Sequence, residues 1–276
     1  MSWTAPTAEI RAVLIAQLSD LHLGPPGWLL GGRVDTAACL NAALDRLLAL
    51  KPAPDVVVLS GDLTDGASAE EYQYLGRLLQ RLIQPYFLMA GNHDRRATLL
   101  EVFGGQPCLP VEHGFLHYAA DLEGRRLLFL DTLDEGWEEG ALCPERLGWL
   151  QSELDAHPNT PTLVFLHHPP FACGIAGMDA IGLKAPQGLE RVIGNSAQVR
   201  LMACGHAHRT IFTIWAGKPT CVCPSPAQQI HLDLSGDACL RYTLEPGGFL
   251  LHQLTANAVV SHVVANTPFL GPYDYD

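Results

Sequence analysis

Short apolar runs alternate along the first two thirds of the chain with segments in which apolar positions recur every three or four residues. The runs predict buried strands, and the periodic segments predict amphipathic helices. The predicted strands cover residues 12–18, 56–59, 86–90, 127–131, 162–166 and 199–204, and the predicted helices 34–50, 69–83, 97–103, 144–156 and 187–193. This alternation favours parallel strands joined by right-handed crossovers, with helices covering the sheet.

The last third of the chain has a different pattern. Short apolar runs at 211–215, 219–223, 240–244 and 249–254 are separated by turn sequences such as Ala216-Gly217-Lys218, which is typical of hairpins. We therefore expect a second sheet packed on the first, with helices outside both. No linker or repeat divides the chain, so we expect one domain over residues 1–255. An irregular tail over 256–276 would pack on the body or on a neighbouring subunit.

Composition and charge narrow the classes of partner. The chain has 276 residues, of which 48% are hydrophobic, so a sizeable core is expected. Acidic residues outnumber basic ones by 29 to 17, giving a net charge of -12, and no Lys/Arg cluster is present that could follow a phosphate backbone. A nucleic acid polymer is therefore not an expected partner.

The expected location is the cytoplasm, without membrane contact. No apolar run is long enough to cross a bilayer, and Met1–Ile10 has neither the basic nor the long apolar segment of a leader peptide. The eight cysteines show no CxxC pair, so we expect buried thiols. Cys221 and Cys223 would share one face of a strand, which leaves a disulfide or an additional metal site as the alternative.

Five polar segments stand directly after predicted strands, where ligands bind in α/β folds. They are Asp20-Leu21-His22, Gly61-Asp62, Gly91-Asn92-His93-Asp94, His167-His168 and Gly205-His206-Ala207-His208. Their carboxylate, amide and imidazole groups, with no thiolate, suit Mn, Fe, Zn or Co. In an extended chain, residues i and i+2 project to one side, so Asp20 with His22, and His206 with His208, would each present two ligands. The segments predict a site for two divalent ions about 3.5–4 Å apart, as in two-metal hydrolases.

The order of these motifs, with His167-His168 extended to His-His-Pro-Pro, resembles that of the calcineurin-like metallophosphoesterases. Within them it is most similar to the bacterial class III cyclic-nucleotide phosphodiesterases and the related glycerophosphodiesterases. The resemblance runs from Ala12 to about His208, and no ligand position is substituted. It implies a four-layer αββα sandwich, in which two packed mixed sheets are flanked by helices, with the catalytic domain over residues 1–255.

The resemblance also implies a role for each polar residue. The implied ligand groups are Asp20, His22, Asp62 and His208 for one ion, and Asp62, Asn92, His167 and His206 for the other. His93 would stabilise the transition state or protonate the leaving oxygen, and Asp94 would orient its neighbours. His168 would support a loop or line the pocket.

The activity implied is hydrolysis of a small phosphodiester, either a 3′,5′-cyclic nucleotide such as cyclic AMP or a glycerophosphodiester. The first alternative is a phosphomonoesterase that uses the same site, because two metals do not determine whether the substrate phosphate carries one ester group or two. A non-catalytic scaffold is the second, although such relatives typically lose ligands. Relatives form oligomers, which implies a possible homo-oligomer here. Arg95, Arg96, Lys184 and Arg209 are either substrate contacts or ordinary surface charges.

Overall fold

Two large β-sheets form the centre of the molecule. The structure is a computed structural model that describes residues 12–111, 114–255 and 258–275, so Met1–Ile10 lies outside the described residues. The first sheet has the order β13-β12-β1-β2-β3 and the second β4-β5-β6-β7-β9-β8, while β10 and β11 form a small separate pair. The strands are β1 Val13–Leu18, β2 Val56–Ser60, β3 Tyr86–Met89, β4 Tyr118–Leu122, β5 Arg125–Leu130, β6 Thr162–Leu166, β7 Val199–Cys204, β8 Ile211–Trp215, β9 Lys218–Val222, β10 Gln229–Ile230, β11 Tyr242–Thr243, β12 Gly248–Leu254 and β13 Val259–Ala265.

Helices cover the outer face of each sheet. They are α1 Thr36–Leu48, α2 Ala69–Leu79, α3 Arg96–Phe103, α4 Pro144–Ala156, α5 Ala176–Ala180 and α6 Gln187–Gly194. The first three pack on the first sheet, and the last three on the second. The start of α2 is fixed by a capping box, in which Ser68 and Glu71 bond each other's main-chain N–H. The predicted αββα sandwich is confirmed.

The strands of the second sheet serve two hydrophobic cores at once. In β5, Leu127 and Phe129 pack in the core between the sheets, whereas Leu128 and Leu130 pack against the outer helices. The same alternation continues through β6 and β7. Because successive side chains of a strand point to opposite faces, a strand buried on both sides is apolar at every position. This explains why the apolar runs predicted these strands well.

The parallel strands bring the polar segments to one edge of the sandwich. β1, β2 and β3 are parallel neighbours, and so are β5, β6, β7 and β9. The two sheets are joined close to this edge, because the buried Gln17 amide donates to the main-chain oxygen of Cys204 at 3.0 Å. The carboxyl ends of β1, β2, β3, β6 and β7 therefore meet where the motifs follow.

Part of the segment 256–276, which was expected to be irregular, forms a strand. Residues 259–265 form β13, which pairs with β12 over seven positions, while Ala256 itself lies outside the described residues. Val260 and Val263 of this edge strand are 42% and 53% exposed. Because both faces of β13 are partly exposed, its sequence lacks the apolar run that identified the inner strands.

Three further segments differ from the sequence prediction. The Gly-rich region 171–184, expected to be irregular, contains α5, and β4 was not predicted. The strand expected over 240–244 is reduced to β11, which pairs with the unpredicted β10.

All eight cysteines are free thiols, and Cys221 and Cys223 lie in the core between the sheets. No helix among the described residues is long and apolar enough to cross a membrane.

Candidate metal centre

The seven predicted ligands converge at the edge where the parallel strands end. Asp20, His22, Asp62 and His208 offer ligand atoms that all lie within 4.8 Å of one another, and all four side chains are buried. The other group meets at the Asn92 amide, whose Oδ1 lies 3.2 Å from His167 Nε2 and 2.9 Å from His206 Nδ1. The structure therefore brings the seven residues that the resemblance implied as ligands into two neighbouring groups.

Asp62 lies between the two groups. Its Oδ2 is 3.5 Å from His22 Nε2, in the first group, and 3.4 Å from His167 Nε2, in the second. Its Oδ1 accepts a hydrogen bond from the His93 main-chain N–H at 2.9 Å. A Cβ at Gly91 would lie 2.3 Å from Oδ1, so only glycine allows this approach. One carboxylate oxygen is thus held, and the other faces both groups of ligands.

Five of the ligands have a left-handed backbone conformation. The φ angles are 56° at Asp20, 43° at His22, 48° at Asp62, 69° at His206 and 47° at His208. This conformation costs roughly 1–2 kcal/mol for each non-glycine residue. The expectation that Asp20 with His22, and His206 with His208, present their side chains from extended chain was therefore wrong. The left-handed turns instead send His206 to the Asn92 group and His208 to the Asp20 group. Strain at five ligand positions is typical of a functional site.

Each ligand histidine uses one ring nitrogen on a fixed acceptor, which leaves the other for a metal. The bonds run from His22 Nδ1 to Asp65 Oδ1 at 3.2 Å, His167 Nδ1 to Ser60 O at 2.8 Å, His206 Nε2 to Ile181 O at 2.9 Å and His208 Nδ1 to Gln228 O at 3.3 Å. Since a carbonyl oxygen can only accept, the bonded nitrogen carries the proton in the last three. Such bonds orient metal-binding imidazoles and fix their tautomers.

The electrostatics of the site are those of a crowded, buried set of ligands. Burial raises the pKa of Asp20 to about 6, and burial together with the neighbouring His167 lowers the pKa of His206 to about 3. Burial would also raise the pKa of Asp62, but the adjacent imidazoles outweigh it and hold that pKa well below its usual range. Burial would lower the pKa of His167, yet Asp62 and Asp20 raise it to about 9.

The donor set fits divalent metal ions. Asp20 Oδ1 accepts from the His206 main-chain N–H at 2.9 Å, whereas its buried Oδ2 has no hydrogen-bond partner among the described residues. His22 Nε2 and His208 Nε2 lie 3.0 Å apart, and the bond from His208 Nδ1 to the Gln228 carbonyl leaves His208 Nε2 with its lone pair. A bound cation would compensate the buried carboxylate oxygen and the imidazole lone pair.

His93 lies next to the ligands without joining either group. Its Nδ1 is 3.1 Å from the Asp65 main-chain oxygen, and its ring stands edge-on to that of His22 with centroids 4.4 Å apart. The side chain is 39% exposed. Nε2 is consequently available to a molecule in the adjoining cavities.

Asp94 holds the turn that carries Asn92 and His93. Its Oδ2 accepts from the main-chain N–H of Gly91 at 2.8 Å and of Leu63 at 3.1 Å. Its Oδ1 accepts from the Tyr72 hydroxyl at 2.8 Å. Asp94 therefore ties the turn to Leu63 and Tyr72, and its orienting role stays a prediction.

Two cavities meet at His93. One, of about 250 Å³, is lined by ligands and by the apolar side chains of Leu30, Met178, Ile181, Leu240 and Tyr242. The other, of about 410 Å³, is mainly polar and is lined by Asp65, Arg95, Glu135, Trp137 and Glu138. Asn92, His93, Asp65 and Glu138 line both. A phosphate group at the ligands would therefore have room on two sides.

Sequence reasoning missed Asp65 and Tyr72. Asp65 holds His22 with its carboxylate and His93 with its main-chain oxygen. It stands three residues after Asp62, so its proximity to the motif was the available signal. Tyr72 lies in α2 and supports Asp94 from a different element, and no sequence signal identifies it.

Three of the four candidate substrate-binding cations have structural partners. Arg96 binds Asp131 at 2.7 Å, Lys184 binds Glu139 at 3.2 Å and Arg209 binds Glu245 at 3.0 Å. Arg95 is exposed and lines the polar cavity. Of the four, it is the one placed to meet a substrate.

Comparison with known proteins agrees with this geometry. The sequence profile of the calcineurin-like phosphoesterases matches residues 13–210. A probable glycerophosphodiester phosphodiesterase of Arcobacter nitrofigilis is 32% identical over 95% of this chain and 97% of its own. The 3′,5′-cyclic adenosine monophosphate phosphodiesterase of Escherichia coli K12 is 28% identical over 96% of this chain and 95% of its own. A dimetal phosphatase from Danio rerio has the same fold, with a TM-score of 0.64 at 14% identity over 94% of this chain and 100% of that structure.

Proposed function

The chain belongs to the calcineurin-like phosphoesterase family, and on this premise we propose that it is a dinuclear metal-dependent phosphodiesterase acting on small phosphodiesters. The observation that carries the proposal is the position of Asp62 Oδ2, 3.5 Å from His22 Nε2 and 3.4 Å from His167 Nε2. One carboxylate oxygen within reach of both ligand groups is what two neighbouring ions require. The membership also agrees with the resemblance seen in the motifs.

Seven side chains would hold the two ions. The proposed ligands are Asp20, His22, Asp62 and His208 for one ion, and Asp62, Asn92, His167 and His206 for the other. When bound, two divalent ions generate a nucleophile from water at neutral pH and neutralise charge on the phosphoryl oxygens. Oxygen and imidazole ligands without thiolate suit Mn, Fe, Zn or Co.

His93 is the proposed proton donor. Its Nδ1–H donates to the Asp65 main-chain oxygen, which fixes the ring with Nε2 directed away from that carbonyl. Protonation of Nε2 gives an imidazolium, which can transfer that proton to the departing ester oxygen. Asp94 contributes by holding the turn on which His93 stands.

The two cavities favour a diester over a monoester. A phosphate at the ligand groups can extend one ester arm into the apolar cavity and the other into the polar cavity. A monoester fills one of them only. Open-chain diesters, such as the glycerophosphodiesters for which the Arcobacter relative is named, use both cavities and are our first candidate.

A 3′,5′-cyclic nucleotide is the second candidate. Both of its ester oxygens belong to one ring, so the nucleoside would lie in one cavity. The apolar cavity contains Tyr242 together with Leu30 and Ile181, a surface suited to stacking with a planar base. The Escherichia coli relative is named for this reaction.

A substrate panel on metal-replete protein tests the proposal. The substrates are bis(p-nitrophenyl) phosphate, glycerophosphoethanolamine, cyclic AMP and p-nitrophenyl phosphate, each with wild type and with Asp62→Ala. We expect the diesters to be hydrolysed faster than the monoester, and hydrolysis to be lost with chelator and in Asp62→Ala. Exposed Asp155 provides the matched control Asp155→Ala, which should keep full activity.

Two outcomes would contradict the proposal. A preference for p-nitrophenyl phosphate over every diester would assign a phosphomonoesterase. Metal-replete wild type that is inert toward all four esters would favour the non-catalytic scaffold. The presence of all seven ligands together with His93 argues against that scaffold.

A further inference from the structure

His168 follows a proposed metal ligand but uses its own ring in another way. It is fully buried, with Nδ1 2.8 Å from the Thr132 hydroxyl and Nε2 3.2 Å from the main-chain oxygen of Glu138. Because a carbonyl can only accept, Nε2 carries the proton, and Nδ1 accepts from Thr132. Both nitrogens are therefore engaged in hydrogen bonds within the protein.

The Glu138 bond fixes the segment 137–140, which we call the wall because Glu138 lines both cavities. The wall lies directly on the His168 ring, since a Cβ at Gly140 would be 2.5 Å from His168 Cγ. Only glycine permits this contact. The wall and the imidazole therefore fit together as one packed unit.

The wall is joined to the segment 181–184. Gly140 donates its N–H to Gly182 and accepts the N–H of Lys184, at 3.2 and 2.8 Å. The Lys184 ammonium adds an ion pair with Glu139 at 3.2 Å and lies 4.9 Å from the centroid of the Trp137 ring. These contacts join the two segments.

The same segment orients a proposed metal ligand. Ile181 accepts the Nε2–H of His206 at 2.9 Å, and the rings of His168 and His206 lie 4.7 Å apart. A continuous set of contacts thus runs from His168 through the wall and residues 181–184 to His206.

We propose that His168 is a positioning residue that holds the wall against the substrate arms and, through residues 181–184, holds His206 in its ligand orientation. The proposal rests on the proposed function for the identity of the substrate. The decisive contact is the bond from Nε2 to Glu138, because it is the one that joins the ring to the wall.

Two substitutions of similar polarity separate this bond from the rest of the environment. In His168→Gln the side-chain amide reaches as far as the imidazole Nε2 and can still donate to Glu138. In His168→Asn the shorter amide takes the place of Nδ1 and can bond Thr132 but not Glu138. Gln therefore keeps the bond to Glu138 and gives up the bond to Thr132, whereas Asn keeps the bond to Thr132 and gives up the bond to Glu138.

The test measures KM and kcat for bis(p-nitrophenyl) phosphate, and metal affinity by calorimetric titration of the apoprotein. For His168→Asn we expect KM to rise by about 10-fold. The affinity for the ion that His206 would bind should also fall by about 10-fold, as when a residue that orients a metal ligand is lost. His168→Gln should remain within about threefold of wild type in both, since the bond to Glu138 is kept. Leu154→Ala, at a buried position of α4 away from the wall, serves as the control for lost stability.

The results that overturn the proposal are specific. Equal KM and metal affinity for His168→Asn and His168→Gln would show that the bond to Glu138 does not position the wall or His206. The same KM change in Leu154→Ala at a matched loss of thermal stability would reduce His168 to a packing residue. If wild type hydrolyses no ester, the proposed function fails, while the metal titrations still decide whether His168 positions His206.

Discussion

His93 differs from the four proposed ligand histidines in its exposure. It lies beside His22 but is 39% exposed, and its single fixed bond is to a main-chain oxygen. A group that transfers a proton must reach the substrate, whereas a ligand is best held away from solvent. The contrast in burial therefore matches the contrast in proposed role.

Replacing His93 by Gln should separate these roles. We expect kcat to fall by about 10²- to 10⁴-fold for a diester with an alkoxide leaving group, because proton transfer is lost. The fall should be smaller for a p-nitrophenolate leaving group, which needs little protonation. The measurement is kcat for glycerophosphoethanolamine and for bis(p-nitrophenyl) phosphate, with metal content determined on the same samples. An equal loss for both leaving groups, or loss of metal, would contradict the assignment.

His252 is a buried histidine away from the metal centre. Its Nε2 lies 3.0 Å from Gln17 Oε1, and its Nδ1 2.8 Å from the Ser261 hydroxyl. Burial lowers the pKa of His252 from the ordinary 6.5 to about 4. The unfolded chain therefore takes up a proton below pH 6.5 that the folded chain takes up only below about pH 4.

This difference predicts a loss of stability in acid. Between pH 7 and pH 5 the His252 contribution to the free energy of unfolding should fall by about 2 kcal/mol. In His252→Gln that part of the decrease should disappear, although the variant is less stable at neutral pH. The check is urea unfolding at both pH values, with His262→Gln, on an exposed histidine of β13, as control. Parallel losses in wild type and His252→Gln would refute the prediction.

Helix α2 contributes to the metal centre although it carries no ligand. Its Tyr72 hydroxyl donates to Asp94 Oδ1 and accepts the main-chain N–H of Arg95 at 3.2 Å. Asp94 in turn holds the turn after β3. A helix on the outer face of the first sheet thus fixes the orientation of Asn92 and His93.

Removal of this hydroxyl in Tyr72→Phe should lower the stability of the fold. The expected loss is about 1–3 kcal/mol in the free energy of unfolding, because a buried carboxylate oxygen loses its donor. The measurement is chemical denaturation at neutral pH, with Tyr74→Phe, on the more exposed side of the same helix, as the matched control. A Tyr72→Phe variant as stable as the control would show that the bond contributes nothing.

The sequence predicted the strands that are buried on both sides and missed strands that are short or partly exposed. β2 and β6 are continuous apolar runs and were placed within a residue. β10 and β11 have two residues each, and the nearby Arg209 is tied to Ile230 and Glu245. Such contacts join residues far apart in sequence, so local pattern does not show them.

The same limit applied to the site. The proposed ligands could be recognised in the sequence because Asp, His and Asn have side chains that bind metals. The groups that fix the imidazole tautomers at Ser60, Ile181 and Gln228 are main-chain oxygens. Every residue has such an oxygen, so only the fold reveals which of them face a histidine.

The metal centre should also stabilise the whole chain. Ions that bind the folded form alone add about 2.7 kcal/mol at a concentration of 100 times Kd. In a protein of this size that corresponds to a rise in Tm of roughly 5 °C or more. We expect this rise on adding Mn²⁺ to chelator-treated protein, and its reversal by chelator. Asp62→Asn should show little or none of it; an equal rise in this variant would place the stabilising ions elsewhere.

Alternate side chains of β5, β6 and β7 pack in two different cores, and this restricts the insertion or deletion of residues in these strands. One inserted residue in β6 would turn Phe165 toward the outer helices and Val164 toward the inner core. It would also carry His167 about 3.3 Å along the strand direction, away from Asn92 and Asp62. Insertions and deletions in these strands should therefore be eliminated, whereas the exposed stretch 231–241 between β10 and β11 can vary in length. We therefore expect residues to be gained or lost in the loops of this enzyme and not in its inner strands.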